Sequence, residues 1–285
     1  MTYRGRLAPT PSGYLHLGHA STFQVAADRA RQANGALVMR IEDLDQDRCR
    51  EEFVAGAMED LRWLGLTWQE GPDVGGPLGP YVQSKRLGCY LDVWRHLAAG
   101  GCIYPSPHSR KDVTQALSAP HDDGSEPLFP PSLRPTVGEH YDENNPGEVN
   151  WRFRVPDGEV ITFLDGQYGA VTRVAGKGFG DFLVWRKDGF PSYELAVVAD
   201  DHAMQISEVV RGADLLTSTA RQLLLYRALG WNPPRFFHVP LLCDAQGERL
   251  AKRDAALTIR TMRTSGMSAR EVWERAKASP HLESV

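Results

Sequence analysis

The stretch from Arg6 to Asp45 constrains the fold more than any other, because it reads strand, turn, helix and strand within about forty residues. Arg6 to Ala8 has room only for a short strand before Pro9, Pro11 and Gly13 interrupt it, a helix is expected over 18–33, and ALVMRI (36–41) suits a strand buried in a parallel sheet. Such a βαβ unit is of dinucleotide-fold type, in which ligands bind beyond the carboxyl ends of the strands. The turn into the helix aims backbone N–H groups and the positive end of the helix dipole at one spot. An anion, most often a phosphate, would be stabilised there.

His16 and His19 flank Gly18 at that spot. Gly18 leaves room for a ligand against the backbone, and two imidazoles could donate hydrogen bonds to charge developing on phosphate oxygens. Taken alone, H-x-G-H suits two capping or solvated histidines equally well. Glu42 and Asp43 fall at the carboxyl end of the second strand, and Asp43, Asp45 and Asp47 read as caps for the turn before the next helix. Helices are expected over 51–64, with Phe53, Ala57, Leu61 and Leu64 on one face, and over 83–98, with Leu87, Leu91, Trp94 and Ala98. GPDVGGPLGPY between them is a loop.

From Cys102 the pattern changes. A segment rich in proline, glycine and acids runs to Pro146, longer than loops in compact domains usually are, which points to an insertion. NWRFRVPDGEVITF (150–163) reads as a hairpin around PDGE, and 178–188 contains a strand. A helix is expected from Ser192, a strand over 206–210 with Arg211 to Asp214 as its carboxyl-end loop, a helix over 215–229, and an amphipathic stretch at 268–277. The expected architecture is α/β, a Rossmann-type parallel sheet with a small inserted α+β subdomain. Its parts would be a first catalytic half over 1–100, the insertion over 101–176 and a second half over 177–285.

At 285 residues, 42% hydrophobic, the chain can bury one substantial core with a smaller domain inserted. No run approaches a membrane span and MTYRGRLAPT has no apolar signal core, so a cytoplasmic protein is expected, acting as a monomer. Cys49, Cys89, Cys102 and Cys243 form no C-x-x-C pair, which argues against a disulfide framework and a zinc ribbon. With a net charge of −4, any RNA contact would need a local basic surface.

RLAPTPSGYLHLGH, followed about twenty residues later by RIED, closely resembles class I aminoacyl-tRNA synthetases, specifically the glutamyl branch. DFLVWRKDGFPSYELAVVADDHAMQISEVVRGADL resembles the second half of those enzymes. His16-Leu17-Gly18-His19 then stands as the HIGH motif, and Leu250-Ala251-Lys252-Arg253 resembles the KMSKS loop, with Ala251 departing from the usual serine. The resemblance implies catalytic roles for His16, Gly18, His19 and Lys252, and ATP contacts from His16, Gly18, His19, Leu250 and Lys252. It implies a glutamate pocket of Arg6, Ala8, Thr10, Glu42, Tyr193 and Arg211, with Glu42 on the α-ammonium. Two arginines and one acid complement free glutamate.

In short relatives of this branch, the stretch matching YPSPHSR carries two cysteines that join a tyrosine and a third cysteine on zinc. Ser106, His108, Phe129 and Leu133 fall on those positions here, and one histidine cannot hold a structural zinc. Cys102, His108, His121 and His140 follow no known ligand spacing, so no zinc is expected and no protein metal site is assigned. The implied reaction uses ATP, with Mg²⁺ arriving on it, to make glutamyl-adenylate. RGADL, and the short stretch after Lys252, resemble members without an anticodon-binding domain, which implies queuosine of tRNA(Asp) as the acceptor. Two alternatives stand beside this: transfer of glutamate to a tRNA 3′ end, and a non-catalytic regulator that binds glutamate or adenylate.

Overall fold

In the computed structural model, residues 2–108, 128–136, 145–243 and 258–280 are described. The opening βαβ unit forms: β1 (Arg4–Leu7) and β2 (Ala36–Met39) pair in parallel with Arg6 opposite Val38, and α1 (Leu17–Gln32) joins them. β1 begins two residues earlier than the sequence suggests because Arg4 is held from the far half of the chain. Ser207 donates its N–H to the Arg4 carbonyl at 2.9 Å, and the Arg4 N–H donates to Ser207 Oγ at 2.8 Å.

That contact leads into β8 (Glu208–Gly212), which pairs in parallel with β9 (Arg235–Val239). β9 meets β5 (Val160–Asp165) in parallel at Asp165 and Phe236, and β5 turns back on β6 (Gly169–Val174). Beside the β1–β2 pair and this four-stranded sheet, a third sheet is antiparallel, with β4 (Asn150–Phe153) between β3 (Ile103–Ser106) and β7 (Phe182–Trp185). The sequence boundary at 176 therefore falls between β6, joined through β5 to β9, and β7, joined to β4.

The hairpin expected over 150–163 does not form. β4 is already paired on both edges, so after the turn at Asp157 and Gly158 the chain leaves for the sheet in which β5 finds β6. Gly158 sits at φ +82°, a conformation glycine tolerates without strain, and its N–H donates to the Ala175 carbonyl. The single helix expected over 83–98 is a 3-10 turn (Gln83–Lys85) and then α3 (Leu87–Ala99). The break falls at Arg86, whose side chain is drawn to Asp200 Oδ1 at 2.6 Å and the Pro80 carbonyl at 2.9 Å. α3 is rotated accordingly: Tyr90, Trp94 and Leu97 are fully buried, while Leu87, Leu91 and Ala98 pack at the margin. Asp43 caps no helix start after β2; its carboxylate accepts from the N–H and hydroxyl of Ser84.

The remaining helices match the sequence closely. α2 (Glu51–Trp63) buries Ala57 and Leu61, and α4 (Tyr193–Ala203) starts where Ser192 Oγ accepts from the Leu195 N–H. α5 (Leu216–Ala228) lies against α4 and α7 (Ala269–Ala278) opens with a reciprocal Ser268 and Glu271 cap, whereas the short α6 (Ile259–Thr264), which Thr258 caps, is not expected from the sequence. Two main cores result. One packs α1, α2, α6 and α7 on β1 and β2; the other packs α3, α4 and α5 on the antiparallel sheet, with Trp94 edge-on to Trp151 at 4.9 Å. No helix among the described residues is long and apolar enough to cross a membrane.

Candidate active site

A cavity of about 480 Å³ opens where the sequence places the anion site, at the carboxyl ends of β1 and β8 and the start of α1. Arg6, Ala8, Thr10, His16, Gly18, His19, Glu42, Tyr193 and Arg211 all line it. Leu250 and Lys252 lie outside the described residues, as do His121 and His140. Leu242 and Thr258, which flank the segment 244–257, line the same cavity.

The histidines are held by the helix start. Gly18 N–H donates to His16 Nδ1 at 3.2 Å and the His16 N–H donates to His19 Nδ1 at 3.3 Å, with ring centroids 3.7 Å apart. Because each Nδ1 accepts, each neutral ring carries its proton on Nε2. Gly18 is fitted to this arrangement: a Cβ there would lie 3.1 Å from His16 Cε1. Thr258 bridges back to His16, so the start of α6 closes one side.

The charges at the strand ends are buried. Arg6 is 4% exposed; its Nη1 donates to the Val210 carbonyl at 2.6 Å, while Nε, 3.7 Å from Asp201 Oδ1, makes no hydrogen bond. Burial lowers its pKa, with Asp201 opposing. Glu42 is 8% exposed and accepts from Arg40 through Oε1 at 2.9 Å; burial pushes its carboxyl up, against the pull of Arg40 and Arg6. Arg40, fully buried, also donates to Asp201 Oδ1 at 2.6 Å and lies 3.8 Å from Asp200. Burial disfavours its charge, but these three carboxylates outweigh that and hold its pKa well above the ordinary value.

Arg211 is fixed on three sides. Its Nε donates to His238 Nε2 at 3.2 Å, Nη1 to the Tyr193 hydroxyl at 3.3 Å and Nη2 to Thr219 Oγ1 at 2.7 Å. Behind it, His238 Nδ1 meets Asp165 Oδ2 at 2.6 Å. Sequence reasoning assigned no role to Arg40, Asp200, Asp201, Asp165, Thr219 or His238. A usable signal existed for Arg40, a lone charge inside the apolar run ALVMRI, which a buried strand tolerates only with partners.

Ser106, His108, Phe129 and Leu133 do come together. Arg152 stacks 4.3 Å over Phe129 and donates to Ser106 Oγ, His108 lies 6.3 Å from the Phe129 ring, and Leu133 packs on Tyr104 and Phe129. Of these four only His108 offers a nitrogen or sulfur metal ligand. Among the described residues, no three His, Cys, Asp or Glu side chains gather as a metal group.

Comparison with known proteins bears on this geometry. The family model described as tRNA synthetases class I (E and Q), catalytic domain, matches residues 2–272. A protein of Nitratidesulfovibrio vulgaris named glutamyl-Q tRNA(Asp) synthetase is 48% identical over 271 residues, 94% of this chain and 83% of its own length. One of the same name from Symbiobacterium thermophilum gives the same figures. Glutamate–tRNA ligase 2 of Acidithiobacillus ferrooxidans is 38% identical, and this chain spans 56% of its length. Among solved structures, the glutamate tRNA ligase of Elizabethkingia meningosepticum, in complex with its amino acid, superposes with a TM-score of 0.78 at 28% identity, over 94% of this chain and 54% of that one.

Proposed function

Because the chain belongs to the family of class I tRNA synthetases (E and Q), sharing their catalytic domain, we propose that it activates glutamate with ATP and transfers the glutamyl group to queuosine in tRNA(Asp). The observation that carries the reading is the pairing, in one cavity, of two buried arginines and one buried carboxylate beside the histidine-capped start of α1. Free glutamate presents two carboxylates and one ammonium, and Arg6, Arg211 and Glu42 present the complement. Glu42 would take the α-ammonium. Tyr193 would orient the substrate through its contact with Arg211, and Ala8 and Thr10 would shape the near wall.

In the first step the α-carboxylate oxygen attacks the α-phosphorus of ATP and pyrophosphate leaves. His16 and His19, protonated on Nε2, would donate to phosphate oxygens as charge develops, and Gly18 lets the triphosphate approach the backbone. Leu250 and Lys252 are assigned to ATP from sequence, and the lining of the cavity by Leu242 and Thr258 supports that. Mg²⁺ would come with ATP and neutralise its phosphates. In the second step an acceptor hydroxyl attacks the glutamyl carbonyl and AMP leaves. The patch around Ser106 and Phe129 is read as free of zinc, and the setting as cytoplasmic.

Queuosine as acceptor is supported by the higher identity to the two glutamyl-Q relatives than to the ligase. Labelled glutamate and ATP, given with tRNA from cells that make queuosine and from cells that do not, test it. Labelling of the queuosine-containing pool alone supports the proposal. Equal labelling of both pools favours the 3′ end, and no labelling together with no pyrophosphate exchange favours a regulator.

A further inference from the structure

A forked carboxylate contact from Arg211 depends on the plane of its guanidinium, which side chains from three other elements hold. Nη1 donates to the Tyr193 hydroxyl on α4, Nη2 to Thr219 on α5 and Nε to His238 on β9. A guanidinium only donates, so His238 Nε2 has to be a bare acceptor. Thr219 Oγ1, 3.1 Å from the same nitrogen, has the Leu215 carbonyl at 3.3 Å as an outlet for its own proton. The ring proton then lies on Nδ1, where Asp165 Oδ2 accepts it at 2.6 Å.

Asp165 is itself fixed. It is 2% exposed, its Oδ1 accepts from the N–H groups of Gln167 and Tyr168, and its carboxylate accepts from the backbone N–H of His238. The turn between β5 and β6 thus holds the carboxylate, the carboxylate fixes the imidazole tautomer, and the imidazole fixes the arginine. His238 is fully buried between Phe163 and Phe236 and does not line the cavity.

We infer that His238 is a positioning residue for substrate carboxylate recognition, acting as a neutral, Nδ1-protonated acceptor set by Asp165 that orients Arg211. This rests on the glutamate reading for the identity of the carboxylate. Burial and the neighbouring Arg211 both lower the histidine's pKa, against Asp165, which agrees with a neutral ring.

The two ring nitrogens can be separated by substitution. His238→Asn keeps a donor near the Nδ1 position and loses the acceptor facing Arg211; His238→Gln restores an acceptor near Nε2. In glutamate-dependent pyrophosphate exchange with tRNA present, His238→Asn should raise the glutamate KM about tenfold or more, the order of one charge-assisted hydrogen bond. His238→Gln should stay within about threefold of the wild type, and the ATP KM should hold in both. Equal glutamate KM values for the two variants, or an ATP KM rising in step with that of glutamate, would overturn the inference. Ring ¹⁵N spectra of the wild-type chain at pH 7.5, assigned by the loss of one ring in either variant, read the tautomer without substrate. An Nε2-protonated or doubly protonated ring sinks the inference whatever the substrate proves to be. Absence of exchange in the wild type would instead count against the glutamate reading.

Discussion

Replacing Arg40 with methionine removes a cation of similar length from a fully buried position and leaves Glu42, Asp200 and Asp201 facing one another. Whether the intact cluster is better than an apolar one is a separate matter, since desolvating both partners offsets much of their attraction. Removing one partner has no such offset and costs about 3–5 kcal/mol. For a domain of this size, about 2–4 °C of melting temperature goes with each kcal/mol, so Arg40→Met should melt about 6–20 °C lower. Thermal melts followed by circular dichroism at pH 8 and pH 5.5 measure it.

The sign of the pH effect follows from Glu42. Its folded pKa is already raised by burial, and loss of Arg40, which opposes that, raises it further. The folded state then binds a proton more readily than the unfolded chain, so stability falls as pH rises from the ordinary glutamate value through the folded one. The deficit of Arg40→Met should therefore shrink at pH 5.5. Adding Asp201→Asn should cost less than its own single effect. A melting loss under about 2 °C, or a deficit independent of pH, would refute the view that Arg40 compensates these carboxylates.

Arg6→Ala should abolish glutamate-dependent exchange while ATP binding, read by calorimetry, stays within about threefold, because Arg6 is assigned to the substrate carboxylate and the histidines to the phosphates; unchanged exchange would take Arg6 out of glutamate binding. Gly18→Ala should lower kcat about tenfold or more with an unchanged melt, since the new methyl displaces the His16 ring by a few tenths of an ångström; full activity would mean the ring position is immaterial. Metal analysis of the purified protein should find zinc well below one per chain, and a stoichiometric amount would overturn the reading of the patch at Ser106 and Phe129.

The cavity residues were legible chiefly through the resemblance to the glutamyl branch, and the local pattern marked only part of the set: His16 opens a helix and Tyr193 follows its Ser192 cap, while Arg6 lies within β1 and Glu42 three residues beyond β2. What holds them was not. Arg40 finds Asp201 at a separation of 161 residues, and His238 finds Asp165 at 73, distances over which periodicity carries no information. The false hairpin at 150–163 has the same origin. Alternation identified two strands correctly, but strand partners depend on which edges remain open, and β4 had both edges taken. The break at Arg86 shows a helix pattern yielding to a buried carboxylate, Asp200, contributed from α4.

The seam between Arg4 and Ser207 has a consequence for how the chain is made. Arg4 and the residue that bonds it from the far half of the chain, Ser207, just before β8, are 203 residues apart. At ordinary synthesis rates that gap is about 10–40 s. Throughout it the nascent βαβ unit presents an unpaired β1 edge, the kind of surface on which strands of other chains can add. Chaperone capture of this protein during translation should accordingly begin with the first unit and end abruptly once β8 emerges.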